Sequence, residues 1–192
     1  MRLLSYVMMI TSFNSIHCVD FKWKMMWLPK AVKQPKYITK KIRQNKYSHK
    51  LDRKEAFRLS VLALRRLQES ASHLNVTARH FPVIYDVSPQ KFSYRMSHQG
   101  NAIKSLDNID KQVEEMITIM KAARVRHLDF GPHCKNFVST NGTLSLIDFD
   151  ILSVEINGTW IPSEYQRRFV NHGITWEQYH NRMLKTIRNC IK

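Results

Sequence analysis

The dipeptide Asn141-Gly142 separates two apolar runs and is a strong signal for a two-residue hairpin turn, which limits the ways in which this part of the chain can fold. The runs are Phe137-Val138 and Leu144 to Phe149, and we expect them to pair as a tight hairpin. Asp148 stands at the end of the second run, where an unpaired carboxylate is costly. It therefore either caps its own turn or requires a metal ion or a cation as partner.

The remaining elements predict an α+β fold in two parts, because runs of strands are followed by helices. Alternating or β-branched segments predict strands, and apolar residues at helical spacing predict helices. The predicted strands are Phe21 to Trp27, Lys36 to Arg43, Val83 to Val87 and Lys91 to Met96, with a further hairpin over Ile151 to Trp160. The predicted helices are Asp52 to Ala71, Asp110 to Ala123 and the tail from Pro162 to Lys192.

Three polar side chains cluster around the first hairpin. Asp129 follows a predicted helix and opens a polar loop, Asn136 closes that loop, and Asp148 ends the hairpin. Oxygen ligands of this kind suit Mg²⁺ or Mn²⁺, which usually complete their coordination shell with phosphate oxygens. The order of the three residues therefore predicts a metal and phosphate site.

These segments resemble the catalytic and metal-binding loops of protein-kinase-like enzymes. The residues that carry the resemblance are His127-Leu128-Asp129, Asn136-Phe137-Val138 and Leu146 to Asp150. It implies a two-lobed α+β fold, with a small antiparallel-sheet N-lobe over residues 19–100 and a short, mainly helical C-lobe over 101–192. The likeness is greatest to compact atypical members, such as the RIO-type, lipopolysaccharide and secretory-pathway kinase-like proteins.

The resemblance also implies roles for single residues. Asp129 would orient or deprotonate an acceptor hydroxyl, while Asn136 and Asp148 would hold metal ions that bridge the phosphates of ATP. Lys40, or alternatively Lys41, would contact the α- and β-phosphates, and Glu55, with Glu69 as the less favoured substitute, would pair with Lys40.

Nucleotide contacts are implied elsewhere as well. The segment that includes Met96, Ser97 and His98 would be the hinge that meets the adenine, and Lys135 would touch the γ-phosphate. These implications predict an ATP-dependent phosphotransferase that uses Mg²⁺ or Mn²⁺ and a hydroxyl acceptor, either a protein or a small molecule.

The sequence also departs from the family pattern. No glycine-rich loop precedes Lys40, Asn136 follows Asp129 by seven residues where the family has five, and Asp150 replaces a glycine in the metal motif. The alternative hypothesis is therefore a pseudokinase, or a module that binds nucleotide or a partner without turnover.

Charge leaves a third hypothesis open. The formal net charge is +16, and the segment from Lys22 to Lys50 contains ten Lys or Arg but no Asp or Glu. With Trp23, Trp27, Tyr37 and Tyr47 interleaved, this segment could bind nucleic acid, although a basic small lobe with core aromatic residues is the favoured interpretation.

The first 18 residues fit either a cleaved signal peptide, which would direct the chain to the secretory pathway, or a first buried strand of a cytoplasmic protein. No other segment is long enough to span a membrane. If Cys18 were removed with a leader, Cys134 and Cys190 could pair. Three N-x-Thr sequons, at Asn75, Asn141 and Asn157, permit the secretory interpretation.

Overall fold

The computed structural model describes residues 37–42, 53–77, 79–103, 105–129, 134–163 and 174–191. These residues form a mixed α+β arrangement with three α-helices and three small antiparallel sheets, which confirms the predicted fold class. The predicted strand from Phe21 to Trp27, the first 18 residues with their two alternative interpretations, and most of the basic segment lie outside the described residues.

The three helices supply most of the core. They are α1 (Arg53–His73), α2 (Ile109–Ala123) and α3 (Trp176–Cys190), and α2 packs against both of the others. Their apolar faces are fully buried at Leu64, Leu67, Met116, Met120, Met183 and Ile187. In the described part of the chain, none of these helices has the length and apolar character needed to cross a membrane.

Local sequence signals explain two of the helix ends. Helix α1 ends in a Schellman motif, in which Asn75 takes a left-handed φ of 54° and donates to the carbonyl of Ser72, while Val76 donates to that of Ala71. Helix α3 begins with a capping box between Thr175 and Gln178.

The first sheet comprises β1 (Tyr37–Lys41), β2 (Ile84–Ser88) and β3 (Ser93–Ser97), with β3 in the middle. A short 3-10 helix (Pro89–Lys91) occupies the predicted turn between β2 and β3. In the β1–β3 register Lys40 lies opposite Tyr94, so the two side chains share one face of the sheet.

The other two sheets each contain a predicted hairpin. One consists of β4 (Asn101–Ala102), β6 (Phe137–Thr140) and β7 (Thr143–Leu146), and the other of β5 (Val125–His127), β8 (Leu152–Ile156) and β9 (Thr159–Pro162). Both hairpin turns are Asn-Gly pairs in which each residue has a positive φ, as a type I′ turn requires.

The structure departs from the expectations in three details. The strand predicted to run to Phe149 ends at Leu146, because Asp148 turns into the left-handed region. The short strands β4 and β5 were not predicted. Residues 101–192 are not mainly helical, since they contain two of the three sheets as well as α2 and α3.

Candidate functional site

The site forms at the open end of the β6–β7 hairpin, opposite the Asn141-Gly142 turn. There the amide of Ile147 donates to the carbonyl oxygen of Asn136 over 2.8 Å, which brings the residues after β7 beside the residue before β6. Asp148 follows with a φ of 64°. Because this conformation ends the strand, the Asp148 side chain is free of the sheet ladder and reaches a partner on β1.

That partner is Lys40, whose ammonium donates to Oδ1 of Asp148 across 108 positions of sequence. The same ammonium lies 3.0 Å from Oδ2 of Asp150. Burial opposes the charged form of Lys40, but Asp150 and Asp148 together outweigh it, so the pKa of Lys40 is raised above its ordinary value. Two carboxylates therefore share one cation, which leaves an excess of one negative charge.

Asp150 has one carboxylate oxygen that solvent does not reach. Its side chain is partly exposed, but its Oδ1 atom is buried and accepts no hydrogen bond from the described residues. Burial raises the pKa of Asp150, the charge of Lys40 opposes that rise, and Asp148 adds to it. Burial also raises the pKa of Tyr94 on the same sheet face, and both carboxylates add to the effect.

Asp129 and Asn136 meet across the loop that they enclose. The side-chain nitrogen Nδ2 of Asn136 donates to two atoms of Asp129, the backbone carbonyl oxygen over 2.8 Å and the carboxylate oxygen Oδ2 over 3.0 Å. Asn136 is buried and Asp129 is partly buried. The Ile147–Asn136 backbone bond and the Lys40–Asp148 ion pair therefore place Asp129, Asn136, Asp148 and Lys40 in one region of the structure.

His127 supports the backbone on which Asp148 is carried. Its Nε2 lies 3.0 Å from the carbonyl oxygens of both Ile147 and Asp148, so this nitrogen carries the proton and donates. Burial lowers the pKa of His127, although hydrogen bonds to Asp148 and Ile147 and the charges of Asp129 and Asp148 oppose the shift. A neutral, fully buried imidazole thus fixes the turn after β7.

Tyr179 of α3 holds His127 in turn. Its hydroxyl donates to the His127 carbonyl oxygen over 2.6 Å and accepts from the His127 amide over 2.9 Å. Both partners are buried. Helix α3 therefore reaches the site through the backbone of β5.

Glu55 does not take its predicted position. Within the described residues it binds Arg58, with Nε of Arg58 donating over 2.7 Å, and this pair is exposed on the first turn of α1. The α1 residue that touches the site is Ser60, whose hydroxyl donates to the carbonyl oxygen of Phe149 over 2.8 Å. Asp150 occupies the place beside Lys40 that was predicted for Glu55.

The predicted hinge residues lie at the end of β3. Met96 and Ser97 are buried, whereas His98 is exposed. Ser97 makes two hydrogen bonds with Val83. Its amide donates to the carbonyl oxygen of Val83 over 2.9 Å, and its hydroxyl accepts from the Val83 amide. Gly100 follows with a φ of 122°, and a side chain there would lie 2.2 Å from the carbonyl oxygen of Ser139.

A disulfide bond fastens the loop before Asn136. Cys134 is joined to Cys190 at the end of α3, with a Cα–Cα distance of 5.6 Å. This confirms the pairing that the sequence allowed. Lys135, between Cys134 and Asn136, is exposed, and its predicted phosphate contact stays a prediction.

The described residues contain no group of three or more His, Cys, Asp or Glu side chains that could hold a metal ion. A metal that binds together with phosphates needs fewer protein ligands, commonly one or two carboxylates. Asp148 and Asp150 provide these, and the buried, unpaired Oδ1 of Asp150 is a ready acceptor. The donor set therefore fits Mg²⁺ or Mn²⁺ carried by a nucleotide, although it does not form a complete protein cage.

The sequence motif did not assign roles to Asp150, His127, Tyr179 or Ser60 as supports of the site. The spacing Asp148-x-Asp150 after an apolar strand was the available signal for Asp150. No protein-family model matches this chain, and no curated protein resembles it significantly.

Proposed function

We propose that this protein is an ATP-dependent phosphotransferase of the protein-kinase-like type, with a two-lobed fold, which moves the γ-phosphate to a hydroxyl acceptor. The observation that carries the proposal is the ion pair between Lys40 and Asp148. A lysine on a sheet strand and a carboxylate after the catalytic hairpin are the two groups that such enzymes place on either side of the nucleotide phosphates.

The order of the strands supports the proposal. In the first sheet the lysine strand β1 is next to β3 and not to β2, which follows it along the chain. This is the order expected if the three strands correspond to the third, fifth and fourth strands of a kinase small lobe. The buried histidine before Asp129 and the Asn136–Asp129 hydrogen bonds also suit that assignment.

In the proposed reaction the acceptor oxygen forms a bond to the γ-phosphorus while the bond from that phosphorus to the bridging oxygen breaks, and ADP leaves. Asp129 orients the acceptor hydroxyl and takes its proton. Lys40 binds the α- and β-phosphates, and Asn136, Asp148 and Asp150 face the nucleotide phosphates. A bound Mg²⁺ or Mn²⁺ would supply charge neutralisation for the phosphate oxygens.

Asp150 takes the positioning role that the sequence assigned to Glu55. Lys40 can turn from Asp148 toward phosphate only if a second carboxylate keeps its ammonium in the site. The 3.0 Å contact to Asp150 provides this hold, since Glu55 is bound to Arg58. The replacement of glycine by aspartate in the metal motif thus compensates for the absent helix carboxylate.

The test is ATP turnover by the purified chain with Mg²⁺ and then Mn²⁺, compared with Asp148→Asn and Asp129→Asn. We expect each variant to lose about 100-fold or more in turnover, because each removes a charge that acts on the reacting groups. The matched control is Asp86→Asn. This carboxylate pairs with Arg95, which lies opposite Thr39 and so on the other face of the first sheet from Lys40. Equal turnover by wild type and both site variants would overturn the proposal.

A second candidate function is nucleotide or partner binding without turnover. The observation that favours it is that Lys40 forms ion pairs with both Asp148 and Asp150, and a nucleotide phosphate must break these pairs in order to bind Lys40. It predicts that ATP raises the melting temperature of the wild type but not of Lys40→Met, while neither metal supports hydrolysis. Turnover that is lost in Asp129→Asn would exclude this candidate.

A further inference from the structure

The three N-x-Thr sequons of this chain all fall on exposed turns of the structure. Asn75 is the left-handed residue that ends α1, Asn141 is in the β6–β7 turn, and Asn157 is in the β8–β9 turn. All three asparagines are exposed. Exposed turns with little surrounding structure are the places where a bulky polar modification is accommodated without disturbing the core.

Each sequon also lies at the end of its element that is remote from the candidate site. Ser60 of α1 contacts Phe149, and Asn75 lies about 20 Å farther along the helix, from the rise of 1.5 Å per residue. Asn136 and Asp148 lie at one end of the β6–β7 hairpin and Asn141 at the other.

The β8–β9 hairpin repeats this arrangement. Strand β8 begins two residues after Asp150, and Asn157 follows its far end, roughly 20 Å away at strand spacing. Carbohydrate at the three turns would therefore leave the groups around Lys40 open to a small ligand.

The disulfide bond gives an independent indication of compartment. Disulfides between residues far apart in sequence persist in the secretory pathway and outside the cell, where the environment is oxidising. Cys134 and Cys190 are separated by 56 positions and are joined. The compartment in which this bond forms is also the one in which N-linked carbohydrate is attached.

We infer that the protein is N-glycosylated in the secretory pathway at Asn75, Asn141 and Asn157. In this step the amide nitrogen of the asparagine bonds to the anomeric carbon of an oligosaccharide carried on a polyprenyl diphosphate. The bond from that carbon to the phosphate oxygen breaks, the lipid diphosphate leaves with the electron pair, and the amide nitrogen loses a proton. The inference is independent of the proposed phosphotransfer.

The surroundings rank the three sites. A side chain built on Gly158, beside Asn157, would meet no atom within 4 Å, so that turn is open. The turn at Asn141 is held more closely, because Gln112 donates to the carbonyl oxygen of Gly142 over 2.8 Å and accepts from the amide of Leu144. We expect higher occupancy at Asn157 and Asn75 than at Asn141.

The experiment produces the full chain, tagged at its C-terminus, in cultured animal cells. Intact mass is measured before and after a peptide amidase that removes N-glycans and converts each occupied asparagine to aspartate, and peptide mapping then locates the conversions. We expect loss of carbohydrate mass and conversion at Asn75 and Asn157, with partial conversion at Asn141.

Variants at threonine make the test specific to the sequon. Asn157 and Asn141 have left-handed backbones that a larger side chain would strain, so the asparagines are better left in place. We expect Thr77→Ala and Thr159→Ala each to abolish modification of their own sequon, whereas Thr77→Ser and Thr159→Ser, which keep the sequons, retain it.

Two outcomes overturn the inference. One is a chain recovered from the cells with the Cys134–Cys190 bond formed and all three asparagines unmodified. The other is a chain recovered with both thiols free and no carbohydrate, which would place it outside the secretory pathway.

Discussion

Lys40 and Asp148 are 108 positions apart in the sequence, yet the ammonium of the first donates to a carboxylate oxygen of the second. The same ammonium is 3.0 Å from Asp150, so strand β1 is joined to the residues after β7 by one cation and two anions. All three side chains are partly exposed, which leaves the cluster accessible to a ligand. A phosphate group would compete with the carboxylates for Lys40, and a divalent cation would compete with Lys40 for the carboxylates.

The first prediction concerns the pKa of Lys40. Asp150→Asn removes the Coulombic attraction of Asp150, which comes first among the interactions that raise this pKa, so the amine should be deprotonated more often and react faster with an acylating reagent. Competitive labelling with mass spectrometry should detect a several-fold increase in the rate at Lys40, with Asp86→Asn unchanged. An unchanged rate in Asp150→Asn would show that Asp150 does not hold Lys40.

The second prediction is a pH dependence that originates at His127. Burial lowers the pKa of this histidine in the folded state, whereas in the unfolded chain its ordinary value is 6.5. The unfolded state therefore binds a proton first as the pH falls below about 6.5, and the folded state loses stability there. Above that pH both states are neutral at this position, so the contribution of His127 is fully present.

Urea unfolding at pH 7.5 and at pH 5.5 checks this expectation. One proton taken up only by the unfolded state costs about 1.4 kcal/mol per pH unit, so with an unfolded-state pKa of 6.5 the loss over this interval should be at most about that value. His127→Gln should be less stable at both values but lose less on acidification. An equal loss in wild type and variant would locate the pH dependence at other residues.

The fold could be predicted largely where the signals are local. Helices α1 and α2 follow from apolar periodicity, and the two hairpins follow from Asn-Gly turns. The prediction failed for β4 and β5, which have two and three residues and exist only because β6 and β8 lie beside them. Such short strands have no periodicity to detect, since their hydrogen bonds depend on partners distant in sequence.

The site was predictable in its membership but not in its pairings. The motif brought Asp129, Asn136 and Asp148 together correctly, yet it assigned Glu55 to Lys40. Arg58, one turn along α1, is close enough to bind Glu55 locally, and a contact within one helical turn forms at little entropic cost. The pairing of Cys134 with Cys190 could not be derived from the sequence, because nothing near Cys134 indicates that α3 ends beside it.

The third prediction concerns the disulfide bond between Cys134 and Cys190. Replacing both residues by serine removes a cross-link over 56 positions, for which the chain-entropy model gives a loss of about 4 kcal/mol. In a domain of this size that corresponds to a fall in melting temperature of roughly 10 °C. A reductant should lower the melting temperature of the wild type by a similar amount and leave the double variant unchanged. If the reductant has no effect on wild type, the bond contributes nothing to stability.

The last prediction concerns Gly100, which connects the end of β3 to β4. Its φ of 122° is accessible to glycine almost alone, and a Cβ there would lie 2.2 Å from both the Ser139 carbonyl oxygen and the Thr140 hydroxyl. Because the carbonyl belongs to the backbone of β6, neither of the two segments can move apart without breaking the β4–β6 pairing. We therefore expect Gly100→Ala to cost more than about 3 kcal/mol of unfolding free energy.

Gly158→Ala is the matched control for this substitution. Gly158 also has a positive φ, 77°, but open space around it, so it should lose only about 1 kcal/mol. The difference between the two variants isolates the contact with β6 from the cost of the backbone conformation. Chemical denaturation of both proteins would decide the point, since equal losses would mean that the approach of Gly100 to β6 does not constrain the segment after the predicted hinge.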